Sequence, residues 1–482
     1  MSTATRPSGL FVDGDWRAAA GRIPVLDKYS GDVVAEVAEA TADDIKDAIG
    51  SAHAASGHPL DAGERARVLT GVADLMEAGA DRFVDDYVAE TGFTTADARN
   101  ELRRAVSIYR LSAQEAVRIA GEQVPLDATP GSGNRLAFTV RVPVGVVVAI
   151  APFNAPLSTV AHKVGPAIAA GNAVVLKPAE KTPLSALNVV GAFAEAGLPP
   201  GFLQLVCAPG STAGPALLDD DRVRFYTFTG STAVGRLVSA GAGLARTHLE
   251  LGSNSVSIVA DDARLDDVVR LVATAGFRKA GQVCTSVQRI LVVRSRFDEL
   301  TTALAERVGS LTAGDPRADG TDLGPLIAEP EAERAFSWIE RASARVRVGG
   351  ERHGSVLTPA LLGDPAPDSE VLTKEIFAPV VSVVPVHDFD EAITRVNAGP
   401  YGLQTGVFTQ DLDRAFHAVR SLRVGGVMVN DTSSYHADAM PYGGVKDSGH
   451  GVEGPPYAVR DMTDPRIVVL NLRRPEREDF HA

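Results

Sequence analysis

The chain predicts an α/β protein built on doubly wound, largely parallel sheets. From Val142 onward, short β-branched runs alternate with helical segments. Those runs are apolar throughout, without the polar alternation of a half-exposed strand, as parallel strands covered on both faces require. Glycine and proline fall between the runs rather than within them, so the breaks punctuate strand–helix units. Repeated units of this kind make an open sheet whose nucleotide crevice lies at the carboxyl ends of its strands.

Residues 144–150 and 173–176 read as buried strands. Residues 184–196 read as a helix, stopped by Gly197 and the Pro199-Pro200 pair. Strands follow at 202–206, 225–228 and 256–259. A second α/β unit opens near Leu265, where Leu265, Val268, Val269 and Val272 share one helix face, and 288–293 is its next strand. Segment 122–135, with Pro125, Pro130, Gly131 and Gly133, is a loop or a projecting hairpin. The polar tail 473–482 is expected to be mobile at its end. Segment 142–161 carries no charge and is about long enough to span a bilayer. Pro143, Gly145, Pro152, Asn154 and Pro156 break it, so it reads as strand, turn and helix start inside a core. No internal repeat is visible.

A chain of 482 residues, 45% hydrophobic and 22% charged, has room for two or three domains with ordinary cores. A net charge of -14 argues against a nucleic-acid partner, which needs a basic surface to displace counterions. Cys207 and Cys284 are too few for a disulfide framework and suit a reducing compartment. Residues 1–7 lack the apolar core of a signal peptide. A cytoplasmic protein with no membrane partner and no metal site is expected.

Cys284 lies in Gly281-Gln282-Val283-Cys284-Thr285-Ser286, and Glu250 in Glu250-Leu251-Gly252-Ser253-Asn254. Lone cysteines are most often small buried hydrophobes, but the preceding glycine and following hydroxyls suit a catalytic turn. Leu249, Leu251 and Gly252 make a solvated role for Glu250 less fitting. A thiolate attacks carbonyls, and a carboxylate can activate the water that releases an acyl group. Residues 228–235, Phe-Thr-Gly-Ser-Thr-Ala-Val-Gly, follow a strand and open a helix, a place for a diphosphate or simply a turn. Position 232 is threonine, a departure from the usual dinucleotide fingerprint. Lys177 and Glu180 at a strand end can hold ribose hydroxyls or form a surface ion pair. Asn154 after Pro152-Phe153 can donate to an oxyanion or serve as a turn residue. Glu375-Ile376-Phe377 and Pro441-Tyr442-Gly443-Gly444 alone read as a surface acid and a tight turn.

Taken in order with Asn430, Val445 and Lys446, these segments resemble the aldehyde dehydrogenase superfamily over nearly the whole chain. The wording at 250–254 and 281–290 is similar to that of lactaldehyde, glycolaldehyde and phosphonate-aldehyde dehydrogenases. The resemblance implies a Rossmann-like dinucleotide-binding domain (1–121 and 140–250), an α/β catalytic domain (251–450) and a small β oligomerisation element (122–139 and 451–482), hence a homodimer or homotetramer. It implies NAD(P)-dependent oxidation of a small-molecule aldehyde to an acid. Cys284 would be the nucleophile, Glu250 the base, and Asn154 the oxyanion donor with the Cys284 N–H. Lys177 and Glu180 would hold the adenosine ribose, with Gly230, Ser231 and Gly235 along the diphosphate. Glu375 would hold the nicotinamide ribose and Phe377 would support that end. Ala155, His162, Val283, Thr285, Tyr435, His436 and Tyr442 would line the substrate pocket. Glu180 would repel a 2′-phosphate, so NAD is expected over NADP. Alternatives are acyl transfer to coenzyme A, whose enzymes generally lack the base, and a binding protein that has lost turnover. Some anion-binding relatives have arginine before the nucleophile, where this chain has Val283. Arg103 and Arg104 could substitute, but read first as solvated charges.

Overall fold

The computed structural model describes residues 8–472; the tail 473–482 and residues 1–7 lie outside the described residues. An eight-stranded sheet runs in the order Asp15–Arg17, Leu10–Val12, Leu203–Leu205, Ala173–Lys177, Val146–Ile150, Val223–Thr229, Arg246–Glu250, Gly449–His450. Its five central strands are mutually parallel. The chain leaves Val146–Ile150 toward one side first and returns to pair on the other, so the sheet has its switch point at that strand. A crevice must open beyond the carboxyl end of such a strand, because the connections on its two sides diverge.

Sequence reading gave no strand or helix bounds before residue 122, and the structure places four helices there. Ala42–Ser56 starts on a reciprocal cap between Thr41 and Asp44 and packs on strands Ala173–Lys177 and Leu203–Leu205. Ala62–Ala78, Ala80–Thr91 and Thr95–Ala116 cover the other face together with Ser158–Ala169 and Leu184–Glu195. Their buried positions recur at helical spacing, as in Val68, Leu69, Val72, Ala73 and Met76.

The second sheet runs Arg345–Val348, Ala360–Gly363, Val380–Val386, Arg289–Val293, Val256–Val259, Gln404–Phe408, Gly426–Val429, all parallel except its first strand. Residues 251–255 connect the two sheets. Every turn of this connector is held: Leu251 N donates to Ser448 O, Ser253 N to Glu375 Oε1 at 2.8 Å, and Gln288 Nε2 to Ser253 O at 2.9 Å. Asn254 Nδ2 reaches two carbonyls, Leu372 O and Lys374 O, and Arg289 Nη2 donates to Asn254 O.

A third sheet has Arg135–Pro143 between Gln123–Val124 and Thr463–Asn471. The proline-rich segment 122–135 is thus the turn region of a hairpin. Leu136, Val140, Ile467, Val469 and Leu470 leave apolar side chains exposed on this sheet. Among the described residues, no helix is long and apolar enough to cross a membrane. The uncharged segment 142–161 is a strand end, a buried strand, a turn and a helix start.

Candidate active site

The nucleophile loop is built by an unusual backbone. After helix Leu265–Phe277, Lys279, Ala280 and Gly281 have φ of 51°, 52° and 68°. Successive left-handed residues are costly for side chains with a Cβ and persist only where surroundings over-determine them. Lys279 Nζ supplies that hold, donating to Glu101 Oε2 at 2.9 Å and Asn154 O at 3.0 Å and lying over the Phe93 ring. At Gly281 a Cβ would lie 2.1 Å from Ala378 O, so only glycine fits. Gln282 locks the next step: its Oε1 accepts from Ile327 N at 2.9 Å.

Cys284, partly buried, places Sγ 3.0 Å from Tyr442 Oη. Burial pushes its thiol up to about 11; the Tyr442 hydrogen bond works against this, and Glu250, Glu375 and Glu453 add to it. Asn154 Nδ2 donates to Gln282 O at 2.8 Å, which orients the amide and leaves its second N–H available. Cys284, Asn154 and Glu250 line one cavity of about 440 Å³.

Glu250 ends strand Arg246–Glu250. Its Oε1 lies 3.2 Å from His248 Nε2, and its buried Oε2 has no hydrogen-bond partner. Burial raises its carboxyl well above the usual range; Glu453 adds to this and Lys163 opposes it. For Glu453, burial raises the carboxyl but Lys163, His162 and His248 together outweigh it, with Lys163 Nζ donating to Oε1 at 3.2 Å, so this second carboxyl stays ionised. The two acids are pushed apart, one toward the neutral form and one away from it.

A second cavity of about 450 Å³ opens at the switch point and shares Phe153, Ala179, Thr229, Gly230 and Ser231 with the first. Lys177 and Glu180 border it, with Nζ and Oε2 3.5 Å apart and Glu180 half-exposed. Ser231 caps helix Thr232–Gly241, so the helix N-terminus faces the cavity. Its apolar slot between helices Gly210–Leu218 and Thr232–Gly241 suits a flat base, and the polar edge suits ribose and diphosphate. The residues present therefore fit a dinucleotide. Glu375, held by Ser253 N, lines the first cavity, and burial raises its carboxyl to about 7. Phe377 has φ 48° and meets Phe153 edge-on at 5.9 Å. Gly235 is elsewhere. It does not border either cavity, and a Cβ there would lie 2.3 Å from Leu251 Cδ2, so it serves close helix packing.

Of the residues expected in the substrate pocket, Ala155, His162, Val283, Thr285, His436 and Tyr442 line the first cavity. Tyr435 does not; it is half-exposed and outside the lining. Arg104 is not a solvated charge. It lines this cavity, with Nε 3.0 Å from Asp438 Oδ1 and Nη2 2.9 Å from His436 Nδ1, whereas Arg103 is exposed. Arg278 lines the cavity too and donates to Ser434 Oγ at 2.8 Å. Burial, then Arg104 and His162, lower His436 to about 3, so its ring is neutral. His162, His436 and Asp438 have the donor set of a metal site, but the Arg104 guanidinium touches two of them and its fixed charge opposes a cation.

Sequence reasoning missed Lys279, Arg278, Lys163, Glu453 and His248. Arg104 was named from the sequence, with Arg103, but read first as a solvated charge.

The aldehyde dehydrogenase family model matches residues 16–468. The chain is 45% identical over 473 residues to 3-sulfolactaldehyde dehydrogenase of Priestia aryabhattai, covering 98% of this chain and 99% of that protein. It is 32% identical to lactaldehyde dehydrogenase of Methanococcus vannielii, covering 96% and 100%. Among solved structures, NADP-dependent glyceraldehyde-3-phosphate dehydrogenase from Bacillus halodurans, complexed with NADP, superposes with a TM-score of 0.95 at 35% identity, covering 97% and 100%. Two parallel sheets, a nucleotide crevice at the switch point, and a thiol and a carboxylate facing one cavity agree with these likenesses: the chain belongs to the aldehyde dehydrogenase family and is an NAD(P)-dependent enzyme of aldehyde oxidation.

Proposed function

We propose that the substrate is a 2-hydroxyaldehyde bearing an anionic group, oxidised to its acid through a thioester on Cys284. The observation behind the anion is that Arg104 and Arg278 share the cavity with Cys284. The Priestia relative is named for a sulfonated hydroxyaldehyde and the Bacillus structure for a phosphorylated one. Asp438 cancels part of the charge of Arg104, and the Methanococcus relative is named for uncharged lactaldehyde; this favours a neutral hydroxyaldehyde as second reading.

Cys284 attacks the carbonyl carbon, and the oxygen that becomes an anion accepts from Asn154 Nδ2 and the Cys284 N–H. A bound nicotinamide supplies the hydride acceptor. Glu250 then takes a proton from the water that attacks the thioester, and the Cys284 sulfur leaves. Glu250 also favours hydrolysis over acyl transfer to coenzyme A. Lys177 and Glu180 hold the adenosine ribose, Gly230 and Ser231 the diphosphate, Glu375 the nicotinamide ribose, and Phe377 backs that end. The Glu180 carboxylate favours NAD over NADP, and Glu180→Ser should move the ratio of specificity constants toward NADP. We assign residues 1–121 and 140–250 to the dinucleotide domain, 251–450 to the catalytic domain, and 122–139 with 451–482 to oligomerisation in a cytoplasmic homodimer or homotetramer.

The test is reduced-nucleotide absorbance with sulfonated, phosphorylated, carboxylated and neutral hydroxyaldehydes, with and without coenzyme A. Anionic aldehydes are expected to lead, and Arg104→Ala to raise their KM at least tenfold, on the order of one lost charge-assisted hydrogen bond. Lactaldehyde used as well as the anionic aldehydes, or an unchanged KM for those aldehydes in Arg104→Ala, would remove the anion from the reading.

A further inference from the structure

Strand Arg246–Glu250 brings a histidine to the base. Alternate side chains of a strand share a face, so His248 and Glu250 point into the same interior, and both are almost fully buried. The imidazole has a built seat. A Cβ on Gly451, whose φ is 90°, would lie 2.5 Å from His248 Cδ2, so the ring packs flat on bare backbone. Gly443 runs beside it, and a Cβ there would lie 3.3 Å from Glu250 Oε1. Two glycines thus clear space for the ring and the carboxylate together.

We propose that His248 is a positioning residue for the base: its Nε2–H donates to Glu250 Oε1, fixing the carboxylate and leaving Oε2, which has no protein partner, to take the proton from water. The inference rests on the reading of Glu250 as the base. Burial lowers His248 to about 4, with Glu453 opposing and Lys163, His450 and His162 adding. The ring is therefore neutral in the working range, a donor through one nitrogen only, and cannot itself be the titrating group. The other charged or titratable groups facing Glu250 are Glu453 from the segment bridged to Tyr442, Lys163 from helix Ser158–Ala169, and Cys284 and Tyr442 across the cavity. None of them hydrogen-bonds the Glu250 carboxylate among the described contacts. A hydrogen bond to the charged form favours that form, so His248 offsets part of the rise that burial imposes on Glu250.

The experiment measures the decay of the acyl-enzyme after a burst, across pH, in the full-length enzyme with NAD and one good aldehyde. His248→Ala is expected to keep the burst, to slow decay about tenfold, and to move the rising limb about one pH unit upward, the scale of one lost hydrogen bond to a carboxylate. His248→Gln, whose amide reaches the place of Nε2, should restore the limb; His248→Asn, one methylene shorter, should behave like alanine. A merely structural histidine would treat the two amides alike. An unmoved limb in His248→Ala, or equal limbs in the two amide variants, overturns the inference. If alanine does not fold, the amide pair alone decides. Failure of the base reading is separate: Glu250→Gln would then decay at the normal rate.

Discussion

At the scale of single residues, the proposed mechanism divides between a thiol that must ionise and a carboxyl that must ionise later. Replacing Cys284 by alanine or serine is expected to lower turnover by at least a thousandfold while leaving dinucleotide binding, read by fluorescence titration, unchanged; a methyl group has no nucleophile and an alcohol no accessible anion. Glu250→Gln should give a burst of reduced nucleotide and then stall, because an amide takes no proton from water. The pH dependence follows from the direction of the shifts. Burial raises Glu250, so its basic form is scarce at low pH and the hydrolytic step speeds up as pH rises through that raised value. Rapid-mixing experiments should show acyl-enzyme accumulating toward acid pH in the native protein. The motifs that carry these two residues were legible in the sequence because each is contiguous, and the structure brings both to one cavity. Arg278 was not, because its partner Ser434 lies far along the chain, and His248 was hidden in the polar start of its strand. Arg104 was named with Arg103 but read first as a solvated charge, its partner Asp438 being equally remote. The resemblance placed Tyr435 in the pocket, but its side chain is half-exposed and outside the cavity lining.

At the scale of elements, the loop that presents Cys284 depends on groups from other elements. Lys279 and Glu101 form a buried pair between that loop and helix Thr95–Ala116. For Glu101, burial raises the carboxyl, but Lys279, Arg104 and the Ser158 hydrogen bond together outweigh it, bringing it from the ordinary value of 4.5 down to about 2. A depressed carboxyl stabilises the fold above its unfolded value, and that contribution disappears as pH falls from about 4.5 toward about 2. Lys279→Met should cost about 3–5 kcal/mol in urea unfolding, since it leaves a buried charge unpaired, and adding Glu101→Gln should recover part of that loss. Gly281→Ala should also be severe, because its Cβ meets a backbone carbonyl and φ is positive. Strands at 144–150, 173–176, 202–206, 225–228, 256–259 and 288–293, and helices at 184–196 and from 265, were legible from apolar runs between breakers; most elements beyond 293 were not read. The N-terminal helices are shorter in apolar signal, and the strand bearing Glu250 begins Arg-Thr-His, which hides its burial.

At the scale of the whole molecule, the exposed apolar side chains of the third sheet bear on assembly. Ile467→Asp on strand Thr463–Asn471 should shift the native mass in light scattering toward the monomer while leaving the cavity of Cys284 intact. The relation between the two large sheets was not legible, because no local pattern says how separate units dock. Glu250 closes a strand of one sheet and Val256 opens the other, with the bonded connector 251–255 between them. That connector behaves as a strut of fixed length. It sets the reach of the base toward the sulfur much as a gauge block sets a gap. One alanine inserted after Gly252 would leave each sheet its own pairing and core, yet slide Glu250 out of step with Cys284. Such a protein should melt cooperatively and bind dinucleotide but fail to empty its thioester, a defect of spacing in a chain that keeps every catalytic group.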